Sequence, residues 1–402
     1  MEIESKFRFK KFNDSWKKYK LGNLGSVSMN KRIFKDETSE TGEVPFYKIG
    51  TFGSEPDSFI TREKFEEYKS KYPYPEIGDI LISASGSIGR TLEYQGEEAY
   101  FQDSNIVWLK HDERLDNSFL KQFYSIVKWE GIEGTTIKRL YNKNILETPI
   151  SLPSQEEQAE IGSLFRTLDD LLASYKENLA SYQSLKTTML SKMFPKAGQT
   201  VPEIRLDRFE GEWEVVQLSD ICQKVTEKNK DNNFNETFTN SAEFGIISQR
   251  DFFEKDISNE KSLNAYYVVR NNDFVYNPRI SNYAPVGPVK RNKLGRTGVM
   301  SPLYFVFRIT NSNIDLNFLE TFFNTNTWHK FMKLNGDSGA RADRFAIKDS
   351  TFLTMPIAFP SLPEQQAIGA YFSNLDNFIN SYQEKISQLE TLKKKLLQDM
   401  FI

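Results

Sequence analysis

Residues 153–194 and 360–401 are two versions of one segment, and they align without a gap. Pro153 meets Pro360, Glu157-Gln158 meets Glu364-Gln365, Ile161-Gly162 meets Ile368-Gly369, and Phe165 meets Phe372. Further on, Leu168-Asp169 meets Leu375-Asp376, Ser174-Tyr175 meets Ser381-Tyr382, and Met193-Phe194 meets Met400-Phe401. A repeat spaced by about half the chain points to a duplication rather than a solenoid. Each copy predicts a long helix. Ser154 with Glu157, and Ser361 with Glu364, predict capping boxes. Pro363 falls in the first turn, where its missing N–H costs little. Leu168, Leu172, Tyr175, Leu179, Tyr182, Leu185, Met189 and Met193 step by three or four, as do Leu375, Ile379, Tyr382, Ile386, Leu389, Leu392, Leu396 and Met400. That is a coiled-coil-like stripe. A helix of roughly 40 residues is about 60 Å long. Such a rod cannot bury its stripe alone, so the two are expected to pack on each other.

A globular segment of about 150 residues precedes each rod. Those segments also correspond. Arg8-Phe9, Phe12, Trp16 and Leu21 recur as Arg205-Leu206, Phe209, Trp213 and Leu218 at identical spacing. Gly78 to Ser83 matches Asn272 to Asn277, and both read as a turn followed by a buried strand. Loops follow, Ala84 to Arg90 and Pro278 to Pro288. Amphipathic helices open at Ser118-Phe119-Leu120 and Asn317-Phe318-Leu319, with second loops at Gly134 to Leu140 and Gly339 to Phe345. The stretches Lys31 to Tyr74 and Glu227 to Tyr267 do not correspond. The expected fold is α+β. Its modules are residues 1–152 (mixed α/β), 153–195 (rod), 196–203 (linker), 204–359 (mixed α/β) and 360–402 (rod).

Composition bounds the chemistry. Of 402 residues, 39% are hydrophobic and 14% aromatic, enough for real cores. No apolar run approaches the roughly 20 residues that span a membrane. The opening MEIESKFRFKKF has no apolar leader, so a cytoplasmic protein is expected. The single cysteine, Cys222, excludes a disulfide framework and a cysteine-based zinc site. His111 and His329 lack metal-ligand spacing and offer no Ser-His-Asp arrangement. No G-x-x-x-x-G-K-[ST] phosphate loop occurs. Asn277-Pro278-Arg279-Ile280 lacks the second proline and the aromatic that would stack a flipped base, and reads as a post-strand loop. Glu156-Glu157 and Asp169-Asp170 lie on rod faces, solvated or turned to a partner. No catalytic residue and no metal site is assigned to this chain. A net charge of −3 argues against a uniformly cationic surface. Local basic patches remain: Lys6 to Lys20, then Lys138, Arg139 and Lys143, then Arg270 to Arg296.

The order of modules resembles the specificity (S) subunits of type I restriction–modification enzymes. The resemblance rests on Pro149 to Gln158 and Pro356 to Gln365, on Gly78-Asp79-Ile80-Leu81, Ser87-Ile88-Gly89 and Gly134-Thr135, and on the Phe-Trp-Leu openings. It covers nearly the whole chain. The first lead-in departs from the family pattern at Ser154-Gln155-Glu156, and the second half lacks a counterpart of Ser87-Ile88-Gly89. The resemblance implies that each globular segment is a target recognition domain reading one half of a split, asymmetric site in double-stranded DNA. It implies that the rods form an antiparallel coiled coil with pseudo-two-fold symmetry, docking two methyltransferase subunits and, through the complex, restriction subunits. Adenine methylation with S-adenosylmethionine, and cleavage with ATP and Mg, would belong to those partners, with no cofactor on this chain. Because arginine and asparagine can read guanine and adenine edges bidentately, the candidates for DNA are Arg90, Lys138, Arg139, Arg279, Asn282, Tyr283, Arg341 and Arg344. Gln158, Asp169, Gln365 and Asp376 are the candidates for partner contact. Two other readings stay open: a type II relative whose partner combines methylation and cleavage, and a coiled-coil adaptor with protein ligands.

Overall fold

The computed structural model describes residues 7–134, 138–250, 260–337 and 343–401. The chain forms two compact units, Met1–Lys176 with Glu384–Ile402, and Glu177–Gln383. The modules expected from sequence follow chain order; the compact units instead cut both rods.

In unit 1 the elements run β1 (Lys17–Lys20), β2 (Gly25–Ser28), β3 (Val44–Tyr47), β4 (Phe59–Ile60), α1 (Arg62–Lys71), β5 (Ile80–Ser83), β6 (Thr91–Glu93), β7 (Tyr100–Phe101), β8 (Ile106–His111), α2 (Asn117–Ile126), α3 (Asn142–Glu147), β9 (Pro149–Leu152) and the first part of α4 (Gln155–Lys192). The central sheet is antiparallel in the order β2-β8-β5-β6, and β1 pairs with β9. Successive side chains of a strand point to opposite faces. Accordingly Ile80 and Ile82 feed one buried cluster and Leu81 feeds another. The stretch Lys31 to Tyr74, which has no counterpart in the other half, builds β3, β4 and α1, and β3 pairs in parallel with β7.

Unit 2 repeats that plan. Its elements are the last part of α4, β10 (Glu214–Gln217), α5 (Leu218–Ile221), β11 (Cys222–Lys224), β12 (Phe238–Ser241), β13 (Gly245–Ser248), β14 (Tyr267–Val269), β15 (Phe274–Tyr276), β16 (Val289–Arg291), β17 (Gly298–Met300), β18 (Phe305–Ile309), α6 (Leu316–Asn324), α7 (His329–Asn335), α8 (Asp349–Leu353), β19 (Pro356–Phe359) and most of α9 (Leu362–Met400). The sheet order is β11-β18-β15-β16, and β10 pairs with β19. Phe274 and Tyr276 enter the main core, while Val275 enters a second cluster. Two antiparallel pairs, the hairpin β12-β13 and the longer-range β14-β17, stand where unit 1 has β3, β4 and β7.

The start of each rod is built differently from the capping box expected. Ser154 Oγ does accept from Glu157 N, at 3.3 Å. The Glu157 carboxylate, however, receives Nε and Nη2 of Arg8 at 2.7 and 2.6 Å, and Glu364 receives Arg205 at 2.8 and 2.7 Å. Both carboxylates are about 1% exposed. A buried charge persists only when paired and hydrogen-bonded, so these arginines pin each unit's opening segment to its rod. The repeated glycines have a steric reason. A Cβ on Gly162 would lie 1.7 Å from Ser118 Oγ, and one on Gly369 would lie 2.7 Å from Asp315 Oδ1. Only glycine lets the start of α2 or α6 approach the rod this closely.

Within each unit the rods pack antiparallel. In unit 1, Phe165 meets Phe401 at 6.4 Å between ring centroids, Asp169 pairs with Lys393, and Lys176 pairs with Glu390 at 2.7 Å. In unit 2, Phe194 meets Phe372 at 6.3 Å, Lys186 pairs with Asp376, and Tyr182 stacks on Phe378 at 5.3 Å. The expected stripe needs one correction. Leu185 and Leu392 are 36% and 44% exposed, because at that level the ion-paired Lys186 and Lys393 face the neighbouring rod. Residues 196–203, expected to be a linker, are tethered in unit 2: Lys192 pairs with Glu203 at 2.8 Å, and Trp213 N donates to Thr200 O at 2.8 Å.

Candidate nucleic-acid interface

In both units the loop after the central strand meets the loop after the amphipathic helix. Unit 1 joins them through Leu140 N to Ala84 O (2.8 Å) and Gly86 N to Lys138 O (3.1 Å), which sets Ser85 opposite Arg139. Unit 2 joins them through Phe345 N to Pro278 O (2.8 Å) and Ile280 N to Asp343 O (3.0 Å), which sets Arg279 opposite Arg344. The sequence grouped these loops only by repetition; the chain reversal supplies the contact.

Several cations of the basic patches are spent within the chain. Arg8 holds Glu157, and Lys11 holds Glu160 at 2.8 Å. Arg270 pairs with Glu227, Arg291 and Lys293 with Glu320, and Arg296 with Glu236. Burial holds the Lys290 ammonium below the ordinary lysine value, and its Nζ donates to Asn324 at 2.9 Å. Lys138, Arg139 and Arg279 differ. All three are exposed, and among the described residues no carboxylate lies within ion-pair distance of them. Arg90 is exposed but fixed: its Nη2 donates to Ile49 O at 2.7 Å and its guanidinium lies 5.9 Å from the Phe52 ring centroid. Arg344 is half-buried, with Asp343 at 3.9 Å. Asn282 and Tyr283 stand on the same exposed loop as Arg279, with Tyr283 83% exposed. Arg341 lies outside the described residues.

The residues expected to meet partners fall into two groups. Gln158 and Gln365 are 1% and 3% exposed. Each spends its amide inside its unit: Gln158 accepts from Asp116 N at 2.9 Å and donates to Arg114 O and Pro153 O, and Gln365 does the same with Asp315 N, Asn313 O and Pro360 O. They lock the capping aspartate of α2 or α6 to the rod and are out of a partner's reach. Asp169 and Asp376 sit at the rim in ion pairs with Lys393 and Lys186. Sequence reasoning passed over two equivalent apolar positions, Leu171 and Phe378, which are 36% and 51% exposed. Their one signal was that both copies keep a large apolar side chain beside the stripe.

Burial pushes the Cys222 thiol up to about 12 and lowers the His329 imidazole. Among the described residues no group of three or more His, Cys, Asp or Glu is placed to hold a metal. No helix among the described residues is long and apolar enough to cross a membrane.

Comparison with known proteins agrees with this architecture. The family described as type I restriction modification DNA specificity domain matches twice, over residues 13–183 and 210–391. A Haemophilus influenzae protein named as a type I restriction enzyme specificity subunit, S.HindORF215P, is 54% identical over 160 residues, or 40% of this chain and 42% of that one. That match therefore spans less than half of the relative. The type I restriction enzyme MjaVIII specificity subunit of Methanocaldococcus jannaschii is 23% identical over 331 residues, 80% of this chain and 74% of that one. The crystal structure of a type I restriction-modification S subunit from M. genitalium has the same fold, with a TM-score of 0.61 at 15% identity, covering 100% of this chain and 99% of that one.

Proposed function

We infer the function from one premise: this chain belongs to the type I restriction modification DNA specificity family, whose domain it carries twice. It is a recognition subunit of that family. Each unit reads one half of a split, asymmetric site in double-stranded DNA. The observation that carries this reading is the loop pair repeated in both units: exposed Lys138 and Arg139 in one, exposed Arg279 opposite half-buried Arg344 in the other, with no described carboxylate within ion-pair distance of Lys138, Arg139 or Arg279. Uncompensated cations are suited to phosphates, which supply most of the affinity of such complexes.

The rods dock two methyltransferase subunits, one on each unit. Equivalent exposed apolar side chains support a repeated surface: Leu171 and Leu392 in unit 1, Phe378 and Leu185 in unit 2. Exposed apolar groups recurring at matched positions mark interaction sites more than scattered ones do. Restriction subunits join through that complex. Adenine methylation with S-adenosylmethionine, and cleavage with ATP and Mg, are carried out by the partners in the cytoplasm. The test is to express the chain with its methyltransferase and sequence the methylated genome. A bipartite motif with two unlike halves is expected. A complex that methylates no defined site would overturn the reading, as would methyl transfer by the purified chain alone.

A further inference from the structure

We propose that the Asn282–Tyr283 turn is the base-reading tip of unit 2 and that it specifies an A·T pair in the half-site this unit reads. The proposal rests on the DNA-reading function above and narrows it to two side chains and one class of base pair.

The turn crowns a finger. Strands β15 and β16 pair antiparallel, with Tyr276 opposite Val289, and the ribbon continues beyond the sheet through Asn277 N to Pro288 O at 2.9 Å. Its end is closed by Ser281 N to Ala284 O and Ala284 N to Ser281 O, both 3.1 Å. Only residues 282 and 283 lie between those bonds. Among the described residues neither of their side chains has a hydrogen-bond or ring partner, and Tyr283 is the most exposed large hydrophobic at 83%. The stem beneath is rigid. Asn277 is buried, donates its amide to Asn240 O at 2.9 Å and accepts from Arg279 N at 3.0 Å. Tyr276 Oη donates to Val286 O at 2.9 Å. Gly287 has φ +82°, and a Cβ there would lie 2.1 Å from Asn277 O, so the ribbon closes tightly at this level. The tip is thus held away from the body before any ligand arrives, which removes an ordering cost from binding.

The foot of the finger carries two arginines directly opposite each other, Arg279 and Arg344. Like charges placed opposite across a ladder are destabilising. Asp343, 3.9 Å from Arg344, offsets one of them, and among the described residues the buried Arg344 Nε has no hydrogen-bond partner. A phosphate between them would satisfy both. With phosphates at the foot, the tip lies over base edges, and a two-stranded ribbon is narrow enough for the major groove of B-DNA.

Chemistry then selects the pair. One asparagine amide offers a donor and an acceptor side by side, which matches the N6 and N7 edge of adenine. Guanine presents two acceptors there and suits arginine or lysine instead. The neighbouring aromatic ring packs on the thymine methyl, which no G·C pair carries. In unit 1 the corresponding loop, Ala84 to Arg90, is shorter and holds neither asparagine nor an aromatic, so the effect belongs to one half-site only.

The experiment compares the wild-type chain with Asn282→Ala, Tyr283→Ala and Tyr283→Phe, each expressed with the methyltransferase. Methylated motifs are mapped, and the same complexes select duplexes from a random pool, which reports base preference even where methylation is weak. Asn282→Ala is expected to reduce discrimination at one A·T position of one half-site by roughly fivefold to a hundredfold. Tyr283→Ala should relax the same or the adjacent pair, and Tyr283→Phe should keep the wild-type motif, because the ring is retained. The other half-site and the melting temperature should not change. Unchanged preference in both alanine variants overturns the proposal, and so does relaxation at a G·C pair or in both half-sites. A wild-type complex that selects no defined sequence would instead remove the underlying function, and the finger with it.

Discussion

Phe401→Ala tests how unit 1 is completed by a segment far away in sequence. Phe401 is 7% exposed, with ring centroids 4.9 Å from Phe119, 6.3 Å from Trp16 and 6.4 Å from Phe165. Truncating a buried phenylalanine to alanine costs about 3–5 kcal/mol. Phe401 follows the last residue of α9, where neighbours can relax into the space, so about 3 kcal/mol is expected. At 2–4 °C per kcal/mol for a unit of this size, the unit 1 transition should fall by roughly 6–12 °C. Hydrogen exchange separates the units. Amides of β5 and β8 that exchange by unfolding of unit 1 should speed up by about 150-fold, since 1.4 kcal/mol is a factor of ten. Those of β15 and β18 should not change. Phe194→Ala should invert the pattern, because Phe194 fills the matching place in unit 2, 5.3 Å from Phe318. An acceleration below about fivefold in unit 1, or an equal one in unit 2, would refute this account of the cores.

Three more outcomes follow. Arg8→Ala leaves the buried Glu157 carboxylate uncompensated and should destabilise unit 1 by about 3–5 kcal/mol; adding Glu157→Gln should recover much of that in urea unfolding, and no recovery would contradict a charge-based penalty. Arg279→Ala and Arg344→Ala should each flatten the slope of log Kobs against log salt by about 0.9 in the assembled complex; an unchanged slope would mean that neither contacts phosphate. A fragment ending at Lys196 should dimerise and direct methylation of a palindrome, since Leu190, Met193 and Phe194 of a second copy match Leu397, Met400 and Phe401 in the unit 1 core, and apolar swaps of similar volume cost under about 1.5 kcal/mol each. A folded monomer in light scattering, or methylation at an asymmetric site, would count against it.

Much of this protein could be read directly from its residues. Two copies of one rod, two globular segments with matching openings, and turns leading into buried strands all follow from local pattern, because helix periodicity and strand burial are written in neighbouring residues. The division into Lys31 to Tyr74 and Glu227 to Tyr267 also held its meaning, since those stretches build different strands in the two units. Roles that depend on long-range contact were not legible. Glu157 fits a capping box within its own helix, yet Arg8 claims it from 149 residues away. Gln158 reads as a partner contact in the sequence, but the capping turn of α2 closes over it. Leu185 fits the apolar stripe, but the register of the antiparallel rods turns Lys186 inward instead. The arginine pair at the foot of the finger exists only because residues 279 and 344 become neighbours in space. Sequence by itself determined which elements form and that they come twice, because those depend on local spacing. Tertiary structure decided which polar side chains are spent inside the fold and which remain for a ligand, because burial and pairing are set by whatever the folded chain brings alongside.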